Sequence, residues 1–382
     1  MTPRFDVVIA GAGVVGAALA NALRELDLDV SVVAPASHEP ASPGERAPIR
    51  PIALSSPSRD ALGTLGLLDQ HAGTPIRAIH VSQRGRFGRT VLRASEHGLP
   101  ALGFVFDAAE LESGAYARIA PWHTASRVVG WSATPDAVNV TLDDGVNTRG
   151  IDTSLLVLAD GGALAGLETV HDYSQIAWFG TVRTTRAHAN IAYERFTNEG
   201  PLALLPLGDR YAFVWATSRA RADTMPESDD AFCAALAHMF GERLGHFDHV
   251  SPRSRIPLAL KREMHRHGAR VVAIGNAAQM LHPVAGQGLN LGLRDALELA
   301  RTIRSTPREM LGNATFIQAF GRKRWADRAA TIATTDIFAR IFSDRGPVMS
   351  AVGGLGLTAL DTLPHARGFL ARRMMLGARG IP

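Results

Sequence analysis

Apolar and polar positions along the chain follow two periods, one of strands and one of helices. Residues 7–10 form a short continuous apolar run, as in a strand buried on both faces. Leu19, Ala22, Leu23 and Leu26 then recur at helical spacing, and a second apolar run at 30–33 predicts the next parallel strand. Residues 137–145 (AVNVTLDDG) alternate apolar with polar positions and end in Asp-Gly, which predicts a strand running into a tight turn. Residues 211–217 (YAFVWAT) and 271–274 predict two more strands. The second of these leads into a glycine-rich turn, followed by Leu289, Leu293, Leu297 and Ala300 at helical spacing. Strand, glycine turn and helix therefore occur in that order twice, at the start of the chain and again from residue 271. No internal repeat or low-complexity linker intervenes, and the Pro/Ser/Gly-rich piece 35–51 reads as a loop.

The first turn holds Gly11, Gly13 and Gly16 in a G-x-G-x-x-G arrangement. Each glycine has its own mechanical role. Gly11 makes the turn, Gly13 lets backbone approach a pyrophosphate, and Gly16 lets the helix pack close to the strand. The helix N-terminus then faces the phosphate charge. An acidic residue for the adenosine ribose is expected after the second strand. Ala34 stands there, and Glu39 follows five residues later. The second turn has Gly275-Asn276 at a strand end, then Gly286 and Gly288 before a helix, with Gln287 and Asn290 beside them. It predicts another anion-facing site. A nicotinamide dehydrogenase has no use for two such sites. A flavin does, because the pyrimidine edge of its ring gains negative charge on reduction and needs N–H groups pointed at it.

Bulk properties narrow the partners. The net charge of +4 is mostly arginine spread along the 382 residues, without the basic cluster of a nucleic-acid module. The single cysteine, Cys233, excludes an intramolecular disulfide and fits a reducing, cytoplasmic setting. The N-terminus shows no signal-peptide pattern, and the longest apolar piece, 346–360, is too short and glycine-rich to span a membrane. His265, His267 and His282 lack a matching carboxylate or cysteine set, so no metal is expected. Near the C-terminus Arg367, Arg372, Arg373 and Arg379 interleave with Leu363, Phe369, Leu370, Met374, Met375 and Leu376. That pattern fits a helix packed on the body or one resting on an anionic membrane surface. Phe213 and Trp215 alternate along a strand and read either as core or as a cavity wall.

The stretch GNAAQMLHPVAGQGLNLGLRDA (275–296) resembles the flavin motif of the class A aromatic flavoprotein monooxygenases, specifically the ubiquinone-biosynthesis hydroxylases. RPIALSS (50–56) resembles their arginine-containing flavin loop. VSQRGRFG (81–88), YERFTNEGPLALLPL (193–207), FCAALAHMFGERLG (232–245) and RWADRAATIATTD (324–336) are most similar to the 2-polyprenyl-6-methoxyphenol hydroxylase branch, as are Asn276 and Gln279. The resemblance runs through nearly the whole chain.

It implies an α/β fold: a Rossmann-like FAD-binding domain of the GR2, para-hydroxybenzoate-hydroxylase type, an inserted α+β substrate domain and a helical C-terminal segment. The FAD domain would be discontinuous, over 1–75, 100–165 and 255–315. The substrate domain would cover 76–100 and 166–254, and the C-terminal segment 316–382. The implied chemistry is hydroxylation of a lipid-tailed phenol by O2 through a flavin hydroperoxide, with FAD as cofactor and NAD(P)H as co-substrate. Cofactor contacts would come from Gly11, Gly13, Gly16, Arg50, Asp160, Gly161, Gly275, Asn276, Gly286, Gln287, Gly288 and Asn290, with His282 and Pro283 at the flavin ring. The resemblance also implies association with other ubiquinone-biosynthesis proteins, and peripheral contact with the inner face of the cell membrane through the C-terminal segment.

Three departures fall on the FAD side. Ala34 replaces the ribose anchor. The family pattern G-A-D-G-x-x-S then Arg keeps Asp160 and Gly161 but loses the serine and arginine. A Val-Glu and a following Arg or Gln are replaced by Phe106 and Ser113, with Glu110 and Arg118 nearby. Two accounts compete: an active hydroxylase that holds FAD mainly through backbone, or a degenerate relative serving as an accessory or assembly protein of a quinone pathway. A related flavoprotein of another aromatic pathway is the third reading.

Overall fold

The computed structural model describes residues 3–35, 48–69, 71–85, 87–263, 269–343, 347–363, 365–369 and 372. Glu39, His265, His267, Leu370, Arg373, Met374, Met375, Leu376 and Arg379 lie outside these residues.

The α/β class holds, in three sheets. In the first, the strand Arg4–Ala10 pairs in parallel with Val30–Ala34 on one side and with the later half of Thr148–Leu158 on the other. Val271–Ala273 and His123–Ala125 extend the parallel part at its two sides. The antiparallel strands Val138–Asp143 and Arg127–Ala133 attach to the earlier half of Thr148–Leu158. The apolar run is buried on both faces, as its lack of alternation predicts: Val7, Val8 and Ile9 are fully buried. Val7 and Ile9 pack under the helices Val14–Ala22 and Gln287–Arg304, while Val8 and Ala10 pack with Val138, Val140 and Ala277.

The second sheet has nine strands. Glu168–Thr184 and Arg210–Ser218 lie at its centre, followed outward by Pro201–Leu207, Ile191–Phe196, Ala78–Gln83 and Arg89–Arg93. Ser254–Arg262 pairs along the other side of Glu168–Thr184, and Gln279–Met280 pairs with Ser254–Arg262. Residues 255–262 and 279–280, expected in the flavin unit, thus belong to this sheet. Its outer face carries the helix Asp229–Phe240. Tyr211, Phe213 and Trp215 are fully buried there against Phe232 and Leu236, so Phe213 and Trp215 are core.

A small third sheet, Pro51–Ser55, Gly103–Asp107 and Thr74–Ile76, sits between the other two. The helix Ala314–Ser343 runs along Gln287–Arg304, and Pro347–Thr362 follows it. Among the described residues no helix is long and apolar enough to cross a membrane.

Candidate active site

The two glycine turns lie at the C-terminal ends of the parallel strands, where ligands of open α/β sheets bind. Gly11 has φ +120°, and its N–H donates to the Val33 carbonyl at 2.9 Å. A Cβ on Gly11 would collide with the Ala159 carbonyl, and one on Gly16 with the Gly11 carbonyl. Both glycines are therefore fixed by the protein's own close packing. Gly13 differs, because a Cβ there would meet nothing within 4 Å. It is the N-cap of the helix Val14–Ala22, and no side chain caps that helix. The first N–H groups of the helix are left for an anion.

Asp160 and Gly161 stand beside this turn. The Asp160 carboxylate accepts the N–H groups of Leu164 at 2.6 Å and Gly162 at 3.4 Å, so it shapes its own loop. Gly161, at φ +82°, faces open space like Gly13. A Cβ on Gly162 would lie 3.2 Å from the Asn276 carbonyl, which places this loop against the second turn.

In the second turn Gly275 (φ +60°) and Gly286 (φ +59°) are both left-handed, a conformation in which glycine carries no steric penalty. Gly286 is the N-cap of the helix Gln287–Arg304, again without a side-chain cap, and a Cβ on Gly288 would meet nothing within 4 Å. Gln287 is buried at the helix start. Asn276 is exposed, and its side chain has no hydrogen-bond partner among the described residues. Asn290, expected as a flavin contact, bonds through its side chain to neighbouring backbone. Its Oδ1 accepts the Ser55 N–H at 2.9 Å, and its Nδ2 donates to the Ala53 and Gly286 carbonyls at 2.9 and 2.8 Å. The side chain stitches the loop strand Pro51–Ser55 to the turn.

One contact sets the distance between the turns. Val15 of the first helix packs onto Gly275 and Gly292. A Cβ on Gly292 would lie 2.9 Å from Val15 Cγ2 and 3.0 Å from Gly275 Cα. Beneath this contact lies an ion network that the chain's local patterns do not reveal. Asp295 is fully buried and accepts from Arg324 at 2.7 Å, Arg328 at 2.9 Å, the Gly275 N–H at 3.2 Å and Gln279 at 3.2 Å. Arg294 and Arg324 both pair with buried Asp327 at 2.8 Å. Burial pushes the Asp295 carboxyl up, but Arg328 and Arg324 outweigh it and hold it below the usual carboxylate range. The only sign of it in the sequence is an Arg-Asp pair inside an apolar helix, Arg294-Asp295.

His282 is buried. Its Nδ1 accepts the Val284 N–H at 3.1 Å, which leaves Nε2 to donate to Gln175 Oε1 at 3.2 Å. Burial lowers its pKa to about 4, against the pull of Asp336. It is a neutral turn histidine that docks the second turn on the nine-stranded sheet, and Pro283 follows as the N-cap of a short 3-10 turn, Val284–Gly286. Arg50 is half exposed and paired with Glu112, a partner that the sequence does not suggest. At the vacated ribose position Ala34 is buried, and its carbonyl accepts from the Ser126 N–H and contacts His123 Nε2, both at 3.0 Å. At the third departure Phe106 is core and Ser113 is exposed, as are nearby Glu110 and Arg118. Cavities of about 620 and 550 Å³ open away from the turns, on the sheet face that carries Tyr193 and His80. His80 is lowered to about 4 by burial and by Arg243. Among the described residues no group of three or more His, Cys, Asp or Glu is placed to hold a metal.

Two uncapped helix N-termini, each with one glycine open to solvent and locked at a fixed separation, define a dinucleotide site of the flavoprotein kind. FAD fits this donor set: backbone N–H groups at both turns, the free Asn276 amide, and open space at Gly13, Gly161 and Gly288. Comparison with known proteins agrees. Residues 4–324 match the FAD binding domain family. The chain is 30% identical to ubiquinone hydroxylase UbiL of Rhodospirillum rubrum, over 97% of this chain and 89% of that protein. It is 26% identical to the 3-demethoxyubiquinol 3-hydroxylase of Escherichia coli K12, over 98% of each. Its fold is similar to that of the p-nitrophenol 4-monooxygenase PnpA from Pseudomonas putida, with a TM-score of 0.75 at 14% identity, covering 99% of this chain and all of that one. The chain belongs to the FAD-dependent aromatic monooxygenases, in the ubiquinone-biosynthesis hydroxylase family.

Proposed function

We propose that the protein hydroxylates the aromatic ring of a polyprenylated phenol in ubiquinone biosynthesis, using NAD(P)H and O2. Bound FAD supplies the redox chemistry, taking up the reducing equivalents and delivering one oxygen atom to the ring. The protein binds and orients the reactants and keeps them dry. Gly11, Gly13, Gly16, Asp160 and Gly161 shape the pyrophosphate end. Gly275, Asn276, Gly286, Gln287 and Gly288 shape the ring end, with the Gln287–Arg304 helix N-terminus facing the charge that develops there. Asn290 and His282 hold that end against Pro51–Ser55 and the nine-stranded sheet. Arg50, paired with Glu112, would turn from that carboxylate to the cofactor. On this reading 1–75, 100–165 and 255–315, apart from the sheet strands 255–262 and 279–280, carry FAD, 76–100 and 166–254 carry the phenol with those two strands, and 316–382 closes the molecule. Leu363 and Phe369, both exposed in that last segment, would touch the inner face of the cell membrane and reach the lipid-tailed substrate there.

The observation that carries the reading is the pair of open, uncapped turns held together through Val15. The test is turnover by the FAD-loaded protein with NADH or NADPH, 2-geranylphenol and ¹⁸O2. The expected result is one ¹⁸O atom per product molecule, with NAD(P)H oxidation accelerated by the phenol. NAD(P)H oxidation without oxygen transfer would make it a reductase. Failure of the protein to retain FAD would favour the accessory-protein account.

A further inference from the structure

The inner face of the nine-stranded sheet carries one carboxylate that no structural role explains. Glu194 lies on Ile191–Phe196, opposite Val81 on one neighbouring strand and Ala203 on the other. Its neighbours on the same face of its own strand locate it. Ala192, two residues before, packs with Ile76 and Val105 and against Ala53 of the arginine loop. Phe196, two residues after, packs with Val284 of the second glycine turn and with Ala339. Glu194 therefore sits between the arginine loop and the glycine turn, on the side of the sheet away from the helix Asp229–Phe240. It forms no ion pair or hydrogen bond among the described residues and is only partly accessible. A carboxylate set among Val, Ala and Phe costs stability unless something pairs with it. A residue such as valine would serve the strand better.

We propose that Glu194 is a catalytic residue, the group that accepts the hydroxyl hydrogen of the bound phenol and takes up its proton. This rests on the hydroxylase reading above. In the step, the phenolic O–H bond breaks, a carboxyl O–H bond forms, and the electron pair stays on the phenolic oxygen. That charge raises electron density at the ortho and para ring carbons, the positions at which an electrophilic oxygen attacks. After product forms, the carboxyl proton passes to water. Burial alone raises the Glu194 carboxyl to about 7, where a general base is most effective near neutral pH. His282 and Asp336, on the same side, are engaged elsewhere. His282 bonds Gln175 and the Val284 N–H, and Asp336 accepts the Tyr173 hydroxyl at 2.9 Å.

The experiment measures binding of 2-geranylphenol to FAD-loaded protein between pH 6 and 9, through the flavin spectrum, for wild type, Glu194→Gln and Glu194→Asp. Ionised Glu194 accepts from the neutral phenol, so wild-type affinity should rise about tenfold as pH climbs through ~7 and then level off. Glu194→Gln should bind with a pH-independent constant and retain FAD. Its kcat should fall ~10²–10³-fold with KM changed by less than about threefold, and Glu194→Asp should recover part of that loss. A binding profile identical in wild type and Glu194→Gln would overturn the assignment while leaving the hydroxylase reading intact. If the phenol binds the wild-type holoprotein at no pH, both are overturned.

Discussion

The two glycine turns do similar work and are built from different materials. The first is held by backbone and apolar packing: Gly16 against Gly11, Gly11 against Ala159, Val7 and Ile9 beneath. The second is held by buried polar groups drawn from across the chain. Asn290 reaches Ser55 and Ala53, His282 reaches Gln175, and Asp295 draws in Arg324 and Arg328. A turn made from backbone needs only small residues at set spacings. One made from side-chain pairs needs each partner present and in the right charge state. The second turn is therefore the more fragile to substitution and to acid.

Removing a network partner should give the largest effect. Asp295→Ala leaves Arg324 and Arg328 buried without their counter-charge and should lower stability by ~3–5 kcal/mol in denaturant unfolding. A loss below ~1 kcal/mol would mean that the network does not support the turn. Next come the two open glycines. A Cβ at Gly13 or Gly288 meets no protein atom within 4 Å, so Gly13→Val and Gly288→Val should each fold normally while FAD binds ~100-fold more weakly or worse. Loss of folding instead would show that the space is not a ligand's.

Acid separates the turns more gently. His282 is held at about 4 against an ordinary value of 6.5, so the unfolded chain binds the proton first. Its contribution is complete above ~6.5 and is lost as pH falls toward ~4, on the order of 2 kcal/mol. His80 follows the same course at a distance from both turns. Against wild type, His282→Gln should show a shallower fall in stability between pH 6.5 and 4, measured by urea unfolding at each pH. Parallel curves would place the acid sensitivity elsewhere. The smallest effect is expected at the vacated ribose position, where Ala34→Glu should tighten FAD about fivefold, the worth of one added hydrogen bond. An unchanged dissociation constant would put the adenosine end away from Ala34.

The same contrast decides what the sequence could show. Gly11, Gly13 and Gly16, the strands beside them and the second turn at Gly286 and Gly288 obey local rules of spacing, and the chain reveals them without a structure. Asn290 is visible as a residue of the turn, but its role is not. Its partners lie some 235 positions away, and only folding shows that its amide is consumed by the backbone of Ala53 and Ser55. Asp295 is hidden for the same reason, since nothing local links it to Arg324 and Arg328. Glu194 stands in a stretch that resembles the family, yet strand alternation alone does not say which face meets the flavin turn. The boundary near 255 missed because Ser254–Arg262 has no glycine or turn signal to mark that it stays in the nine-stranded sheet.

The most direct test of the central claim is FAD titration of Gly288→Val beside wild type, following the flavin band near ~450 nm. Placement of the flavin ring at the second turn predicts one FAD bound per wild-type chain and ~100-fold or greater loss of affinity in a variant that unfolds like wild type. Equal affinity in the two proteins would contradict it.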